Sequence, residues 1–533
     1  MKIGCIQTRA AEISDFENSA AMIIQKIDAA ASLGCDLAVF PECVYPSYYP
    51  GLDEKTFSDA MERLPFLKKE ISEKCLEHGI YVAAGLMEEA SGKVLNKGVL
   101  WGPDGAVLGE TAKSNLWHFD RKYVEPGKEF PVLDTCFGKV GLIVCADGRA
   151  PEICRILALR GARIIIDMAN LVTTGKDLSR VTNPQIEYML PARARENGVW
   201  IVLADKVGLE AGTILNSGGS CIIDPSGRLL ARASSDKEEI LVLEIDPDSG
   251  WKDLDIPERN PSAYSLLVRP TSSLPVVEEM LMKGSPFSRE VFTSVVDFPV
   301  LEQEDYLDRA FHFLSILEDQ DVSLICLPSF PEEWGRGQLL EVAEEGLLKD
   351  DTLVFAALNG PDHRVKGAFL FSRKGLLAEY RPGDGTGDVR SSGSGQALPI
   401  FDTIHGKIGL CVDKEAFIPE LIRCMMLDGV HLVIWADSSR EAMTESIARS
   451  RASENRIFLA RTRGSGEGDT SFLVNPGGQV VASTAAGLEQ AASALLNMSG
   501  ALSKMVVPGT DVVFGRRPEL YGDLVRPDTG RLK

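Results

Sequence analysis

The chain is written twice, and no other feature constrains its fold as strongly. Residues 138–144 read Gly-Lys-Val-Gly-Leu-Ile-Val, and residues 406–412 read Gly-Lys-Ile-Gly-Leu-Cys-Val. The alignment runs on without a gap. It places Pro151-Glu152 on Pro419-Glu420, Arg155 on Arg423 and Gly161 on Gly429, and about two in five positions of this window are identical. Further segments recur in the same order. The run from Asp36 to Pro41 parallels that from Ser323 to Pro328. Arg195-Glu196-Asn197 parallels Ser453-Glu454-Asn455. Asp224-Pro225 with Gly227 parallels Asn475-Pro476 with Gly478, and Asn260-Pro261 with Tyr264 parallels Arg517-Pro518 with Tyr521. Ordered recurrence of this kind marks an internal duplication with a period near half the chain. At 533 residues there is room for two or three domains. Pro, Ser and Gly concentrate in residues 269–288, which is linker chemistry. The expected division is a first copy over 1–268, a linker over 269–288 and a second copy over 289–533.

Within the first copy, short β-branched runs alternate with helical patterns. The runs Lys2–Gln7, Leu37–Phe40, Tyr81–Gly85, Gly98–Trp101, Val140–Val144, Ile164–Asp167, Val199–Ala204 and Gly219–Ile223 read as strands. Ser19–Ser32, Glu152–Arg160 and Pro184–Glu196 read as helices. Alternation of this kind predicts an α/β fold, its sheets covered by helices.

Charge and cysteine usage narrow the function. A net charge of −21 disfavours nucleic acid or an anionic membrane as partner. No run is long and apolar enough to span a bilayer or to act as a secretory signal, so a cytoplasmic location is expected. Eleven cysteines at irregular spacing include no Cys-x-x-Cys, and six histidines form no zinc-binding pair, so neither a disulfide framework nor a metal is expected.

Three residues stand where α/β enzymes build sites. Cys145 ends the run Val140–Val144 just before a helix expected from Pro151-Glu152, where the helix N-terminus would lower a thiol pKa. Taken alone it reads equally as a buried thiol. No histidine near it offers a papain-like partner. Glu42 follows Pro41 at the end of another strand; alone, it reads as a solvated loop glutamate. Lys113 ends the run beginning at Gly105, and alone it reads as a surface lysine.

Together these residues carry a resemblance. Pro-Glu after a strand, then Gly-x-x-x-Gly-x-x-x-Lys, then Gly-x-x-Gly-x-x-x-Cys-x-Asp-x-Arg-x-Pro-Glu, follow the order and spacing of the nitrilase superfamily of carbon–nitrogen hydrolases. The segments Arg121–Gly127, Arg195–Asn197 and Asp224–Gly227 are also similar to that family, and the likeness covers the whole first copy. It implies an αββα sandwich and no cofactor. It implies that Cys145 is a nucleophile forming a thioester, Glu42 its general base, and Lys113 the oxyanion stabiliser, helped by the backbone N–H of Ala146. Glu125 matches a second glutamate that orients the lysine or the substrate.

The second copy lacks this set. Asp413 aligns with Cys145 and Ser329 with Glu42. The lysine position falls on Arg381 or Gly383, depending on the offset. A paired-carboxylate site at Asp413 and Glu415 is the minor alternative. Cys411, two residues upstream of Asp413, is expected to be buried and inert. The second copy is expected to be a structural partner, pairing with the first inside one chain as a pseudo-dimer that can assemble further. The Ala-Asp-Gly-Arg sequence after Cys145 resembles the amidase and N-carbamoyl-amine hydrolase branches, which implies a small amide-like substrate and release of ammonia. Nitrile hydrolysis is the enzymatic alternative, and a silent binding or scaffold protein the alternative of another class. Tyr49 and Trp117 read as pocket wall or loop packing. Asn170 reads as a substrate contact or a turn residue, and Arg149 as a carboxylate contact or an ion-pair partner.

Overall fold

A computed structural model describes residues 1–527, apart from 52, 91, 174–176, 178, 180, 251–253, 283–289, 300–302, 333–336, 338–347, 363, 383–397, 440 and 464–469. Each copy is a four-layer αββα sandwich. In the first copy one sheet has the strand order 214–217, 206–210, 2–9, 37–39, 81–90, 93–101, 107–112, with Glu239–Glu244 also pairing on Lys2–Arg9. The second sheet runs 229–232, 221–223, 200–204, 164–168, 138–144, 132–135. Both are buried on their two faces, so successive side chains serve different layers. Ile3, Cys5, Leu37 and Val39 point between the sheets against Val140, Leu142, Ile164 and Ile166. Ile6, Ala38 and Phe40 point the other way, under the outer helices.

Two helices cover the first sheet. Phe16–Ser32 buries Ala20, Ile23, Ile27 and Ala30, the spacing of one helical face. Glu54–His78 starts at Asp53, whose carboxylate accepts from the N–H groups of Lys55 and Thr56, and ends at Gly79 with φ 64°. Its interior Pro65 hides it from sequence reading, because proline ordinarily ends a helix. The second sheet carries Pro151–Leu159 and Leu190–Asn197.

The second copy repeats the plan, with Gln303–Asp319 over one sheet and Pro419–Leu427 and Thr444–Asn455 over the other. The copies meet through those inner helices. One continuous core holds Ile153, Ile156 and Leu157 of the first copy and Ile422, Met425 and Leu427 of the second. The stretch expected as linker is partly structural. Pro275–Leu281 is a helix whose Val276 and Val277 enter this shared core; residues 283–288 lie outside the described set. Here the apolar residues between the prolines decide the outcome, and the turn-forming composition only sets the bends.

Buried charge locks the seam. Arg193 pairs with Glu196 at 2.8 Å and with Glu454 of the other copy. Arg451 pairs with Glu454 and crosses back to Glu196. All four side chains are fully buried. Removing one member of such a set strands its partner's charge, which costs about 3–5 kcal/mol. Arg451→Met is therefore expected to lower unfolding stability by about that amount, and denaturant titration beside the wild type measures it. A loss under ~1 kcal/mol would show that the quartet is not the main lock.

Candidate active site

Strand ends of both sheets converge on one buried centre. Glu42 lies just past Leu37–Val39 and is wholly buried. Its loop presses against the neighbouring strand so closely that a Cβ on Gly85 would sit 2.5 Å from the Glu42 Cα. Asn96 and Lys113 both donate to Glu42 Oε1, at 2.6 and 2.8 Å. Oε2 is buried and has no hydrogen-bond partner among the described residues.

Lys113 follows the strand Val107–Ala112 and is wholly buried. Its Nζ also meets Asp120 Oδ2 at 2.8 Å. Burial works against the ammonium, but the Asp120 and Glu42 carboxylates outweigh it and hold the pKa well above the ordinary lysine value. Asp120 is itself fixed, accepting from the Tyr48 hydroxyl at 2.9 Å and the Trp117 N–H at 2.9 Å. Lys113 thus stays cationic and immobile.

Cys145 follows the strand Gly138–Val144 and takes φ 50°, an unusual backbone for a residue with a side chain. Three contacts hold it there. Its N–H donates to Asp167 Oδ1 at 2.8 Å, Gln185 Nε2 donates to its carbonyl at 2.9 Å, and its thiol lies 3.7 Å from the Asn170 carbonyl. Gln185 opens a π turn, Gln185–Met189, that the periodicity of Pro184–Glu196 does not reveal. Asp147 ties this loop to the lysine loop by accepting from Ser114 and Asn115 N–H at 3.0 and 2.7 Å; burial pushes its pKa up to about 6.

Two expectations change. The Cys145 thiol is not activated at rest: burial, then the Glu42 charge, push its pKa well above the ordinary thiol value, and Lys113 only partly opposes them. Glu125 does not reach Lys113. It is half-exposed and pairs with Lys93 at 3.0 Å, while Asp120 takes the place assigned to it. Residues 117–120 fold back onto the lysine, whereas Glu125 sits beyond that turn.

The remaining candidates surround this centre. Both side-chain polar atoms of Asn170 are buried without a hydrogen-bond partner among the described residues. Tyr49 packs edge-on against Phe119 and Tyr123, and its N–H donates to Glu210. Arg149 stacks on Trp117, 4.9 Å from the ring centroid, and makes no ion pair among the described residues. Ala146 is buried, and its carbonyl accepts from Asn115 Nδ2. Lys206 escaped the sequence reading. It is buried and donates to the Cys43 carbonyl at 2.9 Å, pinning the residue after Glu42.

The second copy keeps the frame with other residues in it. Asp413 has φ 44°, close to that of Cys145, but its carboxylate serves the backbone. Oδ1 accepts from the Ser438 N–H and Oδ2 from the Val365 N–H. Glu415 is engaged by the Tyr380 hydroxyl and the Val412 N–H, so the two acids do not form a joint site. Strand register puts Pro382 opposite Lys113, since Ala112 pairs one step past Thr111 as Arg381 lies one step past Tyr380. Arg381 pairs instead with Glu379; Gly383 lies outside the described residues. Cys411 is buried as expected. Asp413→Cys in a Cys145→Ala background is therefore expected to give no hydrolysis of any substrate the wild type turns over. Recovered turnover would show that the second centre keeps a hidden base.

Comparison with known proteins identifies the family. The family model described as carbon-nitrogen hydrolase matches residues 2–250 and again 358–501. A nitrilase of Pyrococcus abyssi (strain GE5 / Orsay) is 34% identical over 223 residues, covering 41% of this chain and 80% of that protein. An omega-amidase of Mus musculus is 30% identical over 261 residues, covering 46% and 88%. A solved amidase from Nesterenkonia sp. AN1 is 25% identical, with a TM-score of 0.41 and coverage of 46% and 93%.

Proposed function

The chain belongs to the carbon–nitrogen hydrolase family of the nitrilase superfamily, and from that premise we propose that its first copy hydrolyses a small amide or N-carbamoyl amine through a thioester on Cys145. The observation that carries this reading is the asymmetry of Glu42. One carboxylate oxygen is saturated by Asn96 and Lys113, and the other is buried without a partner among the described residues. That free oxygen is a ready acceptor for a thiol proton. Burial raises the Glu42 pKa, which makes it a stronger base, and the Cys145 thiol holds its proton until attack.

The steps follow from these states. Cys145 Sγ attacks the amide carbon as Glu42 takes its proton. The oxyanion forms against the Lys113 ammonium and the Ala146 N–H. Glu42 returns the proton to the leaving nitrogen, and ammonia departs. Water then gives a proton to Glu42, attacks the thioester and frees the acid and the thiol. Lys113 cannot serve as base, because Asp120 and Glu42 keep it protonated. Asn170 contacts the substrate amide, since its own buried amide lacks other partners. Arg149, without a carboxylate partner and braced on Trp117, holds a substrate carboxylate beside the aromatic wall of Tyr49. The omega-amidases among the relatives support an amide as substrate.

The test is ammonia release from amides, N-carbamoyl amino acids and nitriles, with Cys145→Ala as the control. Release from an amide or carbamoyl substrate that vanishes in the variant is expected. Release from nitriles alone would replace this reading with nitrile hydrolysis. Lys113→Ala or Asp120→Ala is expected to lower kcat by about 10²–10³, the scale of one lost oxyanion donor. The pH profile checks the base. Glu42 works deprotonated and its pKa is raised, so kcat/KM falls with acidification at a midpoint above the ordinary glutamate value of about 4.3. A midpoint below that value would remove Glu42 from the role.

A further inference from the structure

The seam between the copies is nearly symmetric, and one departure from that symmetry exposes a site. In one half, Arg155 and Arg259 both reach Glu420 Oε1, at 3.0 and 2.8 Å, and Arg259 also donates to the Leu524 carbonyl. The duplication maps these onto Arg423, Arg516 and Glu152. In that other half Arg423 holds Glu152 at 2.8 Å, and Arg516 Nη2 donates to the carbonyls of Leu266 and Leu267. Arg516 does not follow Arg259 onto a carboxylate. Its side chain reaches no acid, and its Nε and Nη1 are buried without an acceptor among the described residues.

Arg516 is 7% exposed and lines a cavity of about 40 Å³ between the copies. A water needs roughly 10–15 Å³ of such space, so the cavity holds about three waters or one halide-sized ion. The acids around it are already engaged. Glu152 is held by Arg423, Glu454 by Arg193 and Arg451, and Asp511 Oδ1 accepts from the Val513 and Phe514 N–H groups. A buried guanidinium with two N–H directions unmet and no carboxylate of its own among the described residues calls for a further acceptor.

We propose that this cavity is a binding site for a small monovalent anion of chloride size, ligated by Nε and Nη1 of Arg516. The site is separate from the centre at Cys145, but it shares a wall with it: Ser114 and Asn115, the residues after Lys113, line the cavity. Burial also holds the Arg516 guanidinium below its ordinary pKa, a penalty that a bound anion relieves.

The test uses the whole chain. Crystals soaked in bromide are expected to show an anomalous peak within hydrogen-bond distance of Arg516 Nε and Nη1. In solution, replacing gluconate, too large for the cavity, by chloride at constant ionic strength is expected to raise the melting midpoint. Arg516→Gln should lose most of that rise. Should that variant fail to fold, Val506→Phe, which fills the cavity from another wall, should also lose it. A cavity holding only water, with a midpoint indifferent to the anion, overturns the proposal. A bromide peak without any thermal response in the wild type also overturns it, as binding at soak concentration only.

Discussion

The buried quartet of Arg193, Glu196, Arg451 and Glu454 is the interaction on which the rest of this molecule leans. Four charges leave water together, so each depends on the others for compensation. The same groups reach into both nucleophile loops. Arg193 Nε donates to the Gly148 carbonyl and Arg451 Nε to the Ala416 carbonyl. The loop after Cys145 is thereby tied to the loop after Asp413, and the seam lies directly behind the chemistry. The tail of the second copy adds to this. The His118 N–H donates to Thr510 Oγ1, and Arg517 Nη1 donates to the Gly127 carbonyl. These contacts bracket the segment that carries Asp120. The second copy therefore supports the position of the Lys113 and Cys145 loops in the first.

The first copy's centre shows how burial allots protons. Desolvation alone would neutralise Glu42, Lys113 and Cys145. Two acids beside the lysine reverse that for Lys113, whereas at the thiol Lys113 only partly offsets burial and the Glu42 charge. The thiol thus keeps its proton beside the Glu42 carboxylate, and in the proposed reaction proton transfer accompanies attack. Asp120 is decisive in this balance.

Much of this was legible in the sequence, for reasons that separate one residue from another. Cys145, Glu42 and Lys113 each sit at a strand end, so their convergence follows once the strands are placed. The duplication was visible because Pro151-Glu152, Arg155 and Glu196 recur, yet nothing in the linear pattern says that Glu196 pairs with Arg451 across the seam. Asp120 escaped because its reach depends on how residues 114–119 double back, which Asp147 determines from another loop. Helix Glu54–His78 escaped behind Pro65, and Gln185 behind a local change of helical pitch.

Joining the two halves in one chain has a consequence for concentration. Where separate subunits must find each other, dilution dissociates them, and every copy keeps the same sequence because one gene encodes both faces. Here the partner is always present at the effective concentration set by the connecting residues 269–288. Assembly is unimolecular, stoichiometry is fixed at one to one, and dilution leaves the pair intact. Tethering also removes the requirement that both faces be alike, so the two centres are free to diverge: one keeps a cysteine at its strand-end turn, and the other has turned the same turn into a brace.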